Sequence, residues 1–120
     1  MGTPKVMVVD DDKFIRMNYN QMLAEAGFDV AEAANGIEAI SVYRDFQPDM
    51  VLMDFKMPEM DGLAALKVIK KMDPSAKVAM VTAVGQAALV MESYKTGAID
   101  FVLKPFNQDQ VLGTIKKHLT

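Results

Sequence analysis

The chain has 120 residues, about the size of one domain and enough to bury a sizeable core. Its 13 basic and 16 acidic side chains give a formal charge of −3, and it has no cysteine, which excludes a basic nucleic-acid surface, a disulfide framework and thiolate chemistry. No apolar run approaches a membrane span and the N-terminus lacks a signal peptide's layout, so a cytoplasmic protein without membrane contact is expected.

Lys5 to Val9 is a short apolar run that reads as a strand and ends on Asp10-Asp11-Asp12. Phe14, Ile15, Met22, Leu23 and Ala26 then recur at helical spacing, with Asp12 as the expected N-cap and Gly27 as the stop. Phe28 to Ala33 is a less apolar strand, as suits a sheet edge. Asn35-Gly36 turns the chain into a second helix carrying Ile37, Ile40, Val42 and Tyr43, which Gln47-Pro48 ends. Met50 to Met53 has four apolar residues in a row, the pattern of a strand covered on both faces, and it ends on Asp54.

Pro58 and Asp61-Gly62 mark the loop that follows. Leu63, Leu66, Val68 and Ile69 define the third helix, closed by Asp73-Pro74. Val78 to Val81 is the fourth strand, ending at Thr82-Ala83, and a helix from about Gln86 to Lys95 stops at Thr96-Gly97. Phe101 to Leu103 is a fifth strand that ends at Lys104-Pro105. Asn107 or Asp109 caps a last helix through Val111, Ile115 and Leu119. Most of the 11 methionines are expected to fill gaps in the core.

Strict alternation of strand and helix with short connections predicts an α/β protein, one domain over residues 1–120. The natural solution is a doubly wound, five-stranded parallel sheet of order 2-1-3-4-5 with five helices. Its switch point falls between the first and third strands, where a crevice opens at their C-terminal ends. Those ends carry Asp10, Asp11 and Asp54. Three clustered carboxylates repel, and oxygen ligands suit a hard cation such as Mg²⁺. The chemistry that fits is phosphoryl transfer: Asp54 as nucleophile, Asp10 and Asp11 holding Mg²⁺, Lys104 pairing with the phosphoryl group and the Thr82 hydroxyl donating to it.

VVDDD ending at Asp12, MDFKMPEMDG at 53–62, VTA at 81–83 and KPF at 104–106 are each weak signals. Together, in order and on strand ends, they resemble the receiver domain of bacterial response regulators, which has the flavodoxin-like order, and the resemblance covers essentially the whole chain. It implies that Asp54 takes a phosphoryl group from a sensor histidine kinase's phosphohistidine. Mg²⁺ would sit on Asp11, Asp54 and the Lys56 backbone carbonyl, with Asp10 acting mainly through water. Lys104, Thr82 and Ala83 would surround the phosphoryl group. Lys104-Pro105 would be the family's cis-peptide position, and Thr82 and Phe101 its switch pair.

The implied partners are the kinase, a downstream phosphotransferase or target protein, and a phosphatase. The protein would be no enzyme beyond its own phosphorylation and dephosphorylation. Lys56 and the C-terminal stretch favour the sporulation-relay type slightly over a chemotaxis-type receiver or a receiver excised from a transcription regulator.

Other readings weigh less. A phosphatase of the haloacid-dehalogenase kind would place a second acid two residues past Asp54, where this chain has Lys56. A flavin-binding domain would need a loop rich in Ser, Thr and Gly after the first strand, where this one is acidic. Asp61-Gly62 reads as turn chemistry, His118 as a solvated residue near a helix end, and Lys116-Lys117 as an ordinary solvated face.

Overall fold

A computed structural model describes residues 2–83, 85–104 and 107–119. Among these, β1 (Lys5–Val9), α1 (Lys13–Glu25), β2 (Asp29–Ala33), α2 (Gly36–Phe46) and β3 (Met50–Met53) alternate through the first half. The second half continues with α3 (Gly62–Met72), β4 (Val78–Thr82), α4 (Ala87–Thr96), β5 (Asp100–Leu103) and α5 (Gln108–Leu119). The strands pair in parallel in the order β2-β1-β3-β4-β5. That is the doubly wound sheet the alternation predicts. No helix among the described residues is long and apolar enough to cross a membrane.

Burial follows position in the sheet. Every residue of β3 and β4 is buried, whereas the edge strands β2 and β5 are mostly half-buried. Alternating side chains divide the core into two layers. Met7, Val9, Val51, Met53 and Met80 meet Tyr43, Leu66 and Ile69 of α2 and α3 on one face. Val6, Val8, Leu52, Ala79 and Val81 meet Tyr19, Leu23, Val111 and Ile115 of α1 and α5 on the other. Met7, Met50, Met53, Met57 and Met80 are buried and Met22 and Met60 pack against the layers, as expected, while Met17, Met72 and Met91 are exposed.

The helix starts are specified locally. The Asp12 carboxylate accepts from the N–H groups of Phe14 (2.9 Å) and Ile15 (3.3 Å), Asn35 from Glu38 (2.8 Å) and Asp61 from Ala64 (2.8 Å). For α5 the cap is Asn107. Its side chain accepts from the Gln110 N–H (2.9 Å) and the Gln110 side chain accepts from the Asn107 N–H (2.8 Å), a reciprocal capping box.

The expectation for His118 needs correcting. Its Nε2 lies 2.9 Å from Asp100 Oδ2, with only 13% of the His118 side chain exposed. The cause is topological: α5 runs back along the sheet, so its last turn meets the first residue of β5. Asp100 Oδ1 also accepts from the Phe101 N–H (2.8 Å). Burial pushes the Asp100 carboxyl up, but the His118 ring, the Phe101 N–H and nearby Lys117 together hold it below its ordinary value. On α4, burial and then the adjacent Asp100 carboxylate raise the Tyr94 hydroxyl. One carboxylate thus gathers α4, β5 and α5.

Candidate functional site

Strand register builds the site. Val9 pairs with Met53 and Thr82 with Leu103, so the strand ends finish level. The ladder then runs one residue further: the Asp10 N–H donates to the Ala33 carbonyl (3.1 Å), the Asp54 N–H to that of Val9 (2.9 Å) and the Lys104 N–H to that of Thr82 (2.8 Å). Two acids and a lysine, distant in sequence, therefore leave the sheet on the same edge.

Their side chains meet there. Lys104 Nζ lies 3.0 Å from Asp10 Oδ2 and 3.8 Å from Asp54 Oδ2. Asp10 Oδ1 accepts from the Asp12 N–H (2.9 Å) and Asp54 Oδ1 from the Phe55 N–H (2.9 Å), so each acid turns its second oxygen toward the lysine. Asp11 completes the group: oxygens of Asp10, Asp11 and Asp54 lie within 4.8 Å of one another. Asp10 is 2% exposed and Asp54 9%, while Asp11 faces water.

This crowding has an electrostatic signature. Burial, the largest cause, raises the Asp54 carboxyl to about 6, and Asp10 and Asp11 push the same way against the opposing pull of Lys104 and the Phe55 N–H. The effect reaches α1, where burial and then the charges of Asp10 and Asp54 raise the Tyr19 hydroxyl well above its usual range. A hard divalent cation fits this donor set: its ligands are all oxygen, they lie close together, and one opens to solvent for the waters such an ion keeps.

The remaining predicted residues fall around this cluster. Thr82 is buried at the end of β4 and Ala83 is exposed just beyond it. Lys56 is exposed in the loop after Asp54, which the Gly62 N–H closes onto the Phe55 carbonyl (2.7 Å). Asp61, expected as turn chemistry, is the N-cap of α3, and Gly62 provides clearance: a Cβ there would lie 2.1 Å from the Asp54 carbonyl oxygen. Phe101 is half-buried against the α2–α3 layer and pairs with Met80, which puts its side chain on the same sheet face as Thr82. The Lys104-Pro105 isomer lies outside the described residues.

Sequence reasoning missed Arg16. Its Nη1 donates to the Asp10 carbonyl (2.6 Å) and its Nε pairs with Glu32 Oε1 (3.2 Å). The available signals were a basic residue one helical turn past the Asp12 cap and an acid, Glu32, between two alanines inside the second strand.

Comparison with known proteins agrees with this geometry. The family model "Response regulator receiver domain" matches residues 6–116. Chemotaxis protein CheY of Bacillus subtilis is 46% identical, over 96% of this chain and 97% of that protein. Sporulation initiation phosphotransferase F of Bacillus subtilis is 36% identical, over 99% of this chain and 96% of that protein. Among solved structures, a CheX–CheY–BeF3–Mg²⁺ complex from Borrelia burgdorferi superposes with a TM-score of 0.93 at 32% identity, over 98% of this chain and 90% of that one. With the matched family model spanning the sheet from β1 to α5 and both acid-bearing strand ends inside it, the chain belongs to the response regulator receiver domain family.

Proposed function

We propose that Asp54 is the phosphoryl acceptor and that Asp10, Asp11, Asp54 and the Lys56 carbonyl hold Mg²⁺ during the transfer. The supporting observation is the convergence of three carboxylates within 4.8 Å, with Lys104 bridging two of them, at the sheet's switch point. Bound Mg²⁺ would neutralise the oxygens of the moving group. An Asp54 oxygen attacks phosphorus in line as the bond from phosphorus to the donor's imidazole nitrogen breaks, and the imidazole keeps that electron pair. Lys104, already against the Asp54 carboxylate, pairs with a phosphoryl oxygen, and Thr82 and Ala83 line the adjoining strand end. Burial of Asp54 keeps water from the acceptor until the donor arrives.

The donor on this reading is a sensor histidine kinase, and a downstream target or phosphotransferase reads or receives the group. Phe14 (76% exposed) at the start of α1 and Ile37 (53% exposed) at the start of α2 flank the crevice with apolar surface for a partner to cover. A chemotaxis protein and a sporulation initiation phosphotransferase both stand among the relatives, and phosphoryl acceptance at Asp54 is compatible with either a switch or a relay role.

The test is incubation with acetyl phosphate and Mg²⁺, followed by intact-mass and peptide analysis. One base-labile phosphoryl group should appear on Asp54 and be absent from Asp54→Asn, whose amide is no nucleophile. Stoichiometric labelling of that variant at another residue would sink the assignment.

A further inference from the structure

Of the three clustered acids, Asp11 is the least supported. Asp10 is held by Lys104 and the Asp12 N–H, and Asp54 by the Phe55 N–H. Among the described residues the Asp11 carboxylate makes no hydrogen bond or ion pair, and it is exposed. What fixes it must act through its backbone, and the peptide joining Asp10 to Asp11 has one strong contact. The Asp10 carbonyl of that peptide accepts from Arg16 Nη1 at 2.6 Å.

Arg16 is itself fastened. Its Nε meets Glu32 Oε1 at 3.2 Å, and the other Glu32 oxygen accepts from Asn20 Nδ2 at 2.8 Å. Glu32 pairs with Val8 on the sheet face that α1 covers, so the chain of contacts runs from β2 through α1 to the peptide between the two acids. The Arg16 side chain is 15% exposed, and a guanidinium fork can satisfy a carbonyl and a carboxylate at once.

We infer that Arg16 is a positioning residue for the metal site. By holding the Asp10 carbonyl it sets the plane of the peptide that carries Asp11, and so aims the exposed acid at the position shared with Asp10 and Asp54. This rests on the Mg²⁺ reading above. Positioning and charge predict opposite signs. As a nearby cation Arg16 repels Mg²⁺, so its charge alone would make Arg16→Gln bind more tightly and leave Arg16→Lys unchanged. As a positioning group its loss must weaken binding in both variants.

The experiment is calorimetric titration of Mg²⁺ into wild type, Arg16→Gln, Arg16→Lys, Glu32→Gln and the Arg16→Gln/Glu32→Gln double variant, with the metal-free amide spectrum of each as the check on folding. Arg16→Gln should raise the Mg²⁺ Kd on the order of tenfold, the usual scale for groups that orient a ligand. Arg16→Lys, which keeps the charge but not the fork, should raise it less. Glu32→Gln should weaken binding in wild type and add little to Arg16→Gln, because it acts through the arginine. Unchanged or tighter binding in folded Arg16→Gln and Arg16→Lys overturns the inference. If Arg16→Gln loses its folded spectrum, Arg16→Lys decides. Wild type that takes up no Mg²⁺ overturns the metal reading, and the inference falls with it.

Discussion

Asp54 is costly to keep charged in the metal-free fold. An unfolded chain releases this proton near pH 4, whereas burial beside two other acids raises the folded carboxyl to about 6. Between those values the folded protein keeps a proton that the unfolded chain has lost. The contribution to stability is therefore complete below about pH 4 and is lost as pH rises through about 6. Asp54→Asn removes the titration. Without metal, its stability relative to wild type should grow by on the order of 2–3 kcal/mol between pH 4 and pH 7. Urea denaturation at several pH values measures this, and parallel profiles for the two proteins would refute it. Saturating Mg²⁺ should narrow the gap, because an ion that binds the folded state stabilises wild type selectively.

At the scale of elements, the loop between β3 and α3 carries a local cost. Glu59 has a φ of +69°, and the Met60 N–H donates to the Pro58 carbonyl at 2.8 Å, forming a tight three-residue turn around a non-glycine residue. The left-handed conformation costs an L-residue about 1–2 kcal/mol, and glycine's greater freedom in the unfolded chain offsets part of that. Glu59→Gly should then stabilise the protein by about 0.5–1 kcal/mol, read as a higher urea midpoint at constant slope. A lower midpoint would show that Glu59 contributes more than its backbone strain costs.

Elements whose evidence is local could be read from sequence. The unbroken apolar run of β3, the Asp12 cap and the helix stops needed only neighbouring residues. Thr82 reads as a terminator because its hydroxyl is polar, yet its branched side chain continues β4. Asp100 reads as a turn residue, yet it starts β5 because His118, 18 positions on, meets its carboxylate. Arg16 stayed hidden for a similar reason. A hydrogen bond to a backbone carbonyl leaves no trace in residue type, and Glu32 comes within reach only once β2 lies beside β1. The acid cluster itself was readable because strand order, taken from the alternation pattern, places strand ends together without knowledge of any side-chain contact.

For the molecule as a whole, a switch role on the proposed reading would require a change at Asp54 to reach a surface that a partner can read. Thr82 and Phe101 lie on one sheet face, two register positions apart along β4 and β5. The loop beyond Thr82 also touches β5, since a Cβ at Gly85 would come within 2.9 Å of Leu103 Cδ1. If Thr82 moves on phosphorylation as the switch reading requires, Phe101 has the ring to occupy the space it would leave, and no hydroxyl for a partner to grip. Beryllofluoride with Mg²⁺, which mimics the phosphoryl group, should shift the amide signals of Phe101 and α4 in wild type. Thr82→Ala should still accept phosphate but show a weaker response, matching a coupling of about 1–3 kcal/mol between site and surface. Silence around Phe101 and α4 in wild type would rule out this face as the readout.

The carboxylate of Asp100 gives that readout a mechanical form. It ties α4, β5 and α5 together at one end of a strand four residues long, while Lys104 reaches into the acid cluster just past the other end. Asp100 is thus the more firmly tied end of β5, and Leu103 near the other end is half exposed. A displacement begun at the acid cluster would therefore enter β5 through Lys104, at the end away from the Asp100 tie, and travel along the strand toward the helices gathered there.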